Sequence, residues 1–301
     1  MGKTTSLHSL NNDKGLTRIN KVKWFVYNYF NNRMPLTYLD PDLSLELFSF
    51  SKLIINRKSR SSPSRRLCDI FWNSLQWEKL ANSLGYSVKA LEVGCGSGIY
   101  GKLIDGHLRN YLTNYTGIDI KSKSDWNELS QNPKFNFFLD NSNSLFEKLI
   151  GKNLIFTQSA IEHFDEDLTF FKQIVKYING TKQPIIQIHL MPSAPCLTKY
   201  LWHGVRQYTP RTISKITRLF DNNTKKLLFP LGGKSCNKVH RKYITYSTRF
   251  RMVDKRYLET DQYNNDLKEA IMKDQSSNNV NGPSFYALVM ISNLSESLNI
   301  L

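Results

Sequence analysis

The run Leu91-Glu92-Val93-Gly94-Cys95-Gly96-Ser97-Gly98-Ile99-Tyr100-Gly101 decides how the rest of the chain is read. Ser87 to Val93 ahead of it is short and apolar, and Ile99 to Ile104 behind it begins a helical pattern, so the glycines fall at a strand-to-helix turn. Glycines there permit positive φ, let a ligand approach bare backbone and leave the first helical N–H groups free to face it. Gly96-x-Gly98-x-x-Gly101 fits the dinucleotide fingerprint, but that fingerprint needs its first glycine directly after the strand, and here Gly94 holds that place. The fuller match is Glu92-x-Gly94-x-Gly96-x-Gly98. Its acid, two residues ahead of the first glycine, repels a pyrophosphate and attracts a cationic ligand.

The segments that follow obey the same plan. Tyr115 to Ile120 is a β-type run that reaches Asp119 roughly 20 residues after the last glycine, the distance at which a βαβ unit delivers a carboxylate to a ribose. Phe135 to Asp140 reads as a third strand ending in Asp140-Asn141, and Leu154 to Thr157 as a fourth that leads into Gln158-Ser159-Ala160-Ile161-Glu162-His163-Phe164. Polar groups at successive strand ends gather along the edge where open α/β sheets bind ligands. On these residues the chain resembles the class I S-adenosylmethionine-dependent methyltransferases over about residues 85–191. The resemblance implies a Rossmann-like α/β sheet of seven strands with helices on both faces, and S-adenosyl-L-methionine as cofactor. It places the cofactor on Glu92, Gly94, Cys95, Gly96, Gly98, Asp119, Ile120 and Gln158, with Asp119 on the ribose hydroxyls and Asp140-Asn141 beside the adenine amino group.

Around this centre the chain divides into an N-terminal helical cover, 1–84, and a methyltransferase domain, 85–301, with a substrate-side insertion at about 192–282. Lys21 to Phe30 and Leu43 to Ile55 predict helices, the basic, Ser-rich run Asn56 to Arg66 a loop, and Leu67 to Leu84 one helix stopped by Gly85. Gln183 to Leu190 is the fifth strand, Lys226 to Pro230 the sixth, and Pro283 to Ser292 the seventh, with a polar helix near Gln262 to Asp274 before it. No run approaches the roughly 18 apolar residues of a membrane span, and no signal peptide opens the chain. Its four scattered cysteines therefore predict free thiols in a cytoplasmic protein. Met1-Gly2-Lys3-Thr4-Thr5-Ser6 fits an acylation pattern and echoes a phosphate loop, but it lacks the strand that such a loop needs and reads as a frayed terminus.

Methyl transfer needs alignment of an acceptor lone pair with the methyl carbon, plus a base when the acceptor is a hydroxyl. His163, His189 and His203 are the candidate bases, and Arg206 and Tyr208 the candidate acceptor contacts, Arg206 as a bidentate clamp for a carboxylate or phosphate. Glu162-His163 also resembles the end of the metal-binding Glu-x-x-Glu-His sequence of some methyltransferases, but Ser159 stands at the first ligand and leaves too few oxygens for magnesium. Cys196, His203, Cys236 and His240 have zinc-type side chains without standard spacing. No metal is assigned.

The formal net charge of +16 favours an anionic partner. Yet neither the Lys-Asp-Lys-Glu pattern of ribose methyltransferases nor the Asn/Asp-Pro-Pro-aromatic tetrad of base methyltransferases is found. That absence argues against nucleic acid, and the Glu162-His163 segment and the helical cover resemble methyltransferases of small molecules and sugars, which implies O-methylation of a small-molecule or sugar acceptor, as in polysaccharide biosynthesis. An RNA methyltransferase and a non-catalytic binding protein of the same fold are the alternatives.

Overall fold

The computed structural model describes residues 10–51, 59–142, 145–276, 282–294, 298 and 300–301. The Met1 to Ser6 pattern and Asn56-Arg57-Lys58 of the basic run lie outside them. In chain order the main elements are α1 (Arg18–Asn31), β1 (Leu43–Leu45), α2 (Pro63–Ser74), α3 (Trp77–Ser83), β2 (Val88–Val93), α4 (Ile99–Leu108), β3 (Leu112–Asp119), α5 (Asp125–Leu129), β4 (Phe135–Leu139) and α6 (Phe146–Leu149). There follow β5 (Leu154–Gln158), α7 (Asp167–Asn179), β6 (Ile185–Pro192), α8 (Cys196–Lys199), α9 (Pro210–Thr217), β7 (Lys225–Leu231), α10 (Lys234–His240), α11 (Tyr246–Arg251), α12 (Lys255–Leu258), α13 (Thr260–Ser276) and β8 (Phe285–Ser292).

The strands form one eight-stranded sheet in the order β1-β7-β8-β6-β5-β2-β3-β4. β8 runs antiparallel to both β6 and β7, whereas β1 with β7 and the other neighbours are parallel. Every residue of β5, β6 and β8 is buried, as strands covered on both faces must be. One face packs against Phe71, Trp72 and Leu80 of α2 and α3, Ile104 of α4, and Leu267 and Ile271 of α13. The other packs against Phe170, Phe171 and Ile174 of α7 and Ile213 and Ile216 of α9. Strand order reverses between β2 and β5, so the connections leave a crevice at their C-terminal ends.

Two local expectations are corrected. Leu43 to Ile55 does not open as a helix: Leu43, Ser44 and Leu45 extend and pair in parallel with Lys226, Leu227 and Leu228, adding an eighth strand at the edge. The buried Lys226 ammonium faces Asp40 at 3.2 Å, which ties this strand's approach to β7. The single helix foreseen over Leu67 to Leu84 is broken at Leu75, whose ψ of 139° is extended. α2 starts earlier than foreseen because Pro63 fits the first helical position and Ser62 Oγ accepts from Arg65 N–H. The break lets Trp77 stack on Trp72 with ring centroids 6.0 Å apart.

Candidate functional site

The glycine run forms the turn between β2 and α4, with Gly94, Gly96 and Gly98 at φ values of +77°, +54° and +78°. Each glycine is there for its own reason. A Cβ on Gly94 would overlap that of Ala160, because the segment after β5 crosses directly over the turn. A Cβ on Gly98 would lie 2.8 Å from Leu129 and 2.9 Å from Phe137, whereas Gly96 faces open space. Gly96 N–H donates to Asp119 Oδ2 at 2.8 Å, and its carbonyl accepts from Trp126 Nε1–H at 2.8 Å. Asp119 thereby ties the turn to the end of β3, while its Oδ1 accepts from Lys121 N–H at 3.1 Å. Next to it Ile120 is exposed, as is Leu139 at the end of β4. Asp140 N–H donates to the Asp119 carbonyl at 3.1 Å, which draws the Asp140-Asn141 corner against that same edge. Together these gather polar groups and two exposed apolar side chains at the C-terminal ends of β2, β3 and β4.

Glu92 and Gln158 stand differently. Glu92 is buried beneath the turn, and Tyr115 Oη donates to its Oε2 at 2.5 Å. The charge attraction foreseen for it is corrected to a structural role. Burial pushes its pKa up to about 8, against the hydrogen bond from Tyr115 and the more distant charge of Arg65, which lower it. A carboxyl raised above its unfolded value stabilises fully below that unfolded value, and the contribution is lost as pH climbs through about 8. Denaturation midpoints measured from pH 5 to pH 8 are therefore expected to fall in the wild type relative to Glu92→Gln, which keeps an acceptor for Tyr115. Parallel profiles would refute this. Gln158 Oε1 accepts from Trp72 Nε1–H at 2.9 Å, so the amide is held from behind by α2. Cys95 is a buried thiol close under Gly117.

The strand order is that of the class I methyltransferase sheet. Among solved structures the chain is similar to the plantazolicin methyltransferase BamL in complex with SAH, at 11% identity and TM-score 0.40 over 72% of this chain and 83% of that one. It is similar also to the methyltransferase domain of bacterial CtHen1, at 14% and 0.43 over 71% and 96%, and to a SAM dependent methyltransferase from Archaeoglobus fulgidus, at 15% and 0.44 over 77% and 96%. At such values these likenesses concern outline alone, and the assignment of the sheet rests on its own topology. No family model matches the sequence, and no curated protein does.

Beyond the glycine turn, the segment Ala160 to Phe164 carries Glu162 and His163 toward the loop after α8, and His203 meets them there. The rings of His163 and His203 lie edge to face with centroids 4.6 Å apart, and His203 Nε2 is 4.0 Å from Glu162 Oε1. That meeting is enforced by backbone. Val205 N–H donates to the Glu162 carbonyl at 2.7 Å, and Gly204, at φ +61°, comes so close that a Cβ there would sit 2.6 Å from that oxygen. The N-terminal arm braces the pair from outside. Trp24 Nε1–H donates to the Gly204 carbonyl at 3.0 Å, Asn28 Nδ2 to that of Val205 at 3.1 Å and Asn11 Nδ2 to that of His163 at 2.9 Å. Asp13 Oδ2 lies 2.6 Å from His163 Nδ1. Asn11, Asp13, Trp24 and Asn28 were not foreseen as parts of a site, since nothing in a run of helical residues reports partners so far along the chain.

The remaining candidates are corrected. His189 is fully buried in β6, edge-on to Phe170 and Phe171, with Nδ1 3.0 Å from Thr157 Oγ1. Burial drives its pKa down to about 3, so it is a core histidine that no acceptor reaches. Arg206 turns inward to pair with Asp167, and its Nη2 donates to the Asp165 carbonyl at 2.7 Å. Tyr208 Oη lies 2.8 Å from the other Asp167 oxygen and 3.2 Å from the Ile161 carbonyl. Both residues hold the Ile161 to Asp167 segment in place instead of meeting an acceptor. The suggested Cys196, His203, Cys236 and His240 set is not brought together; Cys196 Sγ–H donates to the Ser284 carbonyl at 3.2 Å and His240 Nδ1 lies 3.0 Å from Thr245 Oγ1.

Proposed function

We propose that this chain is an S-adenosylmethionine-dependent methyltransferase that O-methylates a small-molecule or glycosidic acceptor. The observation that carries the reading is the tie between Gly96 N–H and Asp119 at the mouth of the β2 turn, with the Asp140-Asn141 corner beside it. In this reading Asp119 binds the ribose hydroxyls, Ile120 and Leu139 cover the adenine, and Gly96 leaves room for the ligand's backbone-facing side. The cofactor's methyl group then faces the Glu162, His163 and His203 side, where the acceptor oxygen is aligned and its proton removed. His163 and His203 replace the wider set of three histidines.

An anionic sugar is the acceptor class best supported by charge. Lys238, Arg241, Lys242 and Lys255 line a hollow of about 680 Å³ together with Tyr246, Ser247 and Phe250. The Tyr200 ring lies 5.8 Å from His203 and 4.6 Å from His240 of α10, the helix that supplies Lys238 to the hollow. A cytoplasmic setting is part of the proposal; among the described residues no helix is long and apolar enough to cross a membrane. Calorimetry is expected to show one equivalent of S-adenosylhomocysteine bound by the folded protein. Binding of NADH in its place would overturn the reading, and methyl incorporation into RNA but not into sugars would move it to the nucleic-acid alternative.

A further inference from the structure

Glu162 is the outstanding anomaly of the molecule. Its side chain is 1% exposed, and neither carboxylate oxygen has a hydrogen-bond partner. An isolated carboxyl in such a place is costly to bury, the more so if ionised. A buried group without partners calls for a catalytic role or a bound water or ion to account for it. Around it, His163 and His203 each offer a ring nitrogen, and the three donor atoms lie within 4.8 Å of one another. We infer that Glu162, His163 and His203 form a binding site for one borderline divalent cation of the zinc type.

The ligand chemistry points to the ion class. Two imidazole nitrogens with one carboxylate suit zinc, cobalt or ferrous iron, whereas magnesium demands more oxygens and near-ideal octahedral geometry. The reason for setting magnesium aside on Ser159 stands, but His203, contributed from a loop 40 residues downstream, changes the donor set. The surroundings are built for orientation. With His163 Nδ1 occupied by Asp13 at 2.6 Å, Nε2 is left as its donor atom, the carboxylate–histidine–metal arrangement in which the outer carboxylate fixes the ring. The Trp202 to Gly204 turn, with Trp202 at φ +59° and Gly204 at φ +61°, holds His203 against the pair. Three protein donors leave coordination positions for water or for an acceptor hydroxyl, whose proton a bound ion would acidify, so with the ion in place His163 and His203 would serve as ligands and not as bases. The inference deepens the acceptor end of the proposed methyltransferase site and rests on that reading for its role only, since the binding itself needs no cofactor.

The test is titration of the chelator-treated full chain with Co²⁺, followed by its visible d–d absorption, and with Zn²⁺ by calorimetry. Wild type is expected to bind one equivalent. Glu162→Gln and His203→Ala should each abolish the d–d band, Asp13→Asn should weaken binding ~10–100-fold, and His107→Ala, remote on α4, should leave it unchanged. Circular dichroism and S-adenosylhomocysteine calorimetry on each variant report whether it is folded. Absence of a Co²⁺ band in folded wild type, or a band that survives both ligand substitutions, would overturn the inference. Metal binding without S-adenosylhomocysteine binding would leave the site and refute the methyltransferase reading; the reverse result would do the opposite.

Discussion

Asp119→Ala is expected to weaken S-adenosylhomocysteine binding by roughly 10–100-fold without unfolding the protein, because two kinds of charge-assisted hydrogen bond vanish together. One is internal: Gly96 N–H loses its acceptor at 2.8 Å, and the turn that must be rigid before the ligand arrives becomes loose. The other is to the ribose in the proposed complex. Asp119→Asn separates them, since its amide oxygen still accepts from Gly96 while the ionised acceptor for the hydroxyls is gone, and an intermediate loss is expected. Calorimetry with circular dichroism checks both variants. Unchanged affinity in a folded Asp119→Ala protein would remove the ribose assignment.

His203→Ala should have the largest effect on turnover, a fall of roughly 10²–10⁴-fold in kcat with S-adenosylhomocysteine affinity retained. The side chain is half exposed, so its loss leaves no core cavity, and its backbone neighbours remain fastened by Trp24 and Asn28. His189→Ala is the contrast. It removes a ring wedged against Phe170 and Phe171, and its cost should register in thermal unfolding before turnover. Radiolabelled methyl transfer to a fractionated sugar acceptor, run beside a melting curve, distinguishes the two. Near-normal kcat in the folded His203→Ala protein would show that alignment alone drives the chemistry.

Much of the glycine-turn side of the sheet was legible because the signals are local. The glycines, Asp119 and the Asp140-Asn141 corner sit at the ends of short apolar runs, and β-strand ends can be read from composition without knowing their partners. The placement of the histidines and Arg206 was not legible for a definable reason. β6 is buried on both faces, so no alternation of polar and apolar residues told which way His189 points. Arg206 looks like an anion clamp until Asp167 is seen to consume it. β1 is too short to carry a strand pattern of its own and exists because β7 offers it an edge. The break between α2 and α3 has neither glycine nor proline to announce it, and follows from how Trp72 and Trp77 stack.

The N-terminal arm bears on how the molecule is made. Trp24 and Gly204 are 180 positions apart, and Asn11 and His163 are 152. During synthesis the arm leaves the ribosome well before its partners, which emerge only after most of the sheet has been translated. It must wait undocked, with the apolar side chains of Ile19, Val22, Val26 and Phe30 exposed even in the finished protein. Closing contacts of such long separation is slow, because the loop entropy falls due before the contact forms. The cluster of Glu162, His163 and His203 is thus the last part to be braced, and a nascent chain would set its glycine turn in order before that cluster.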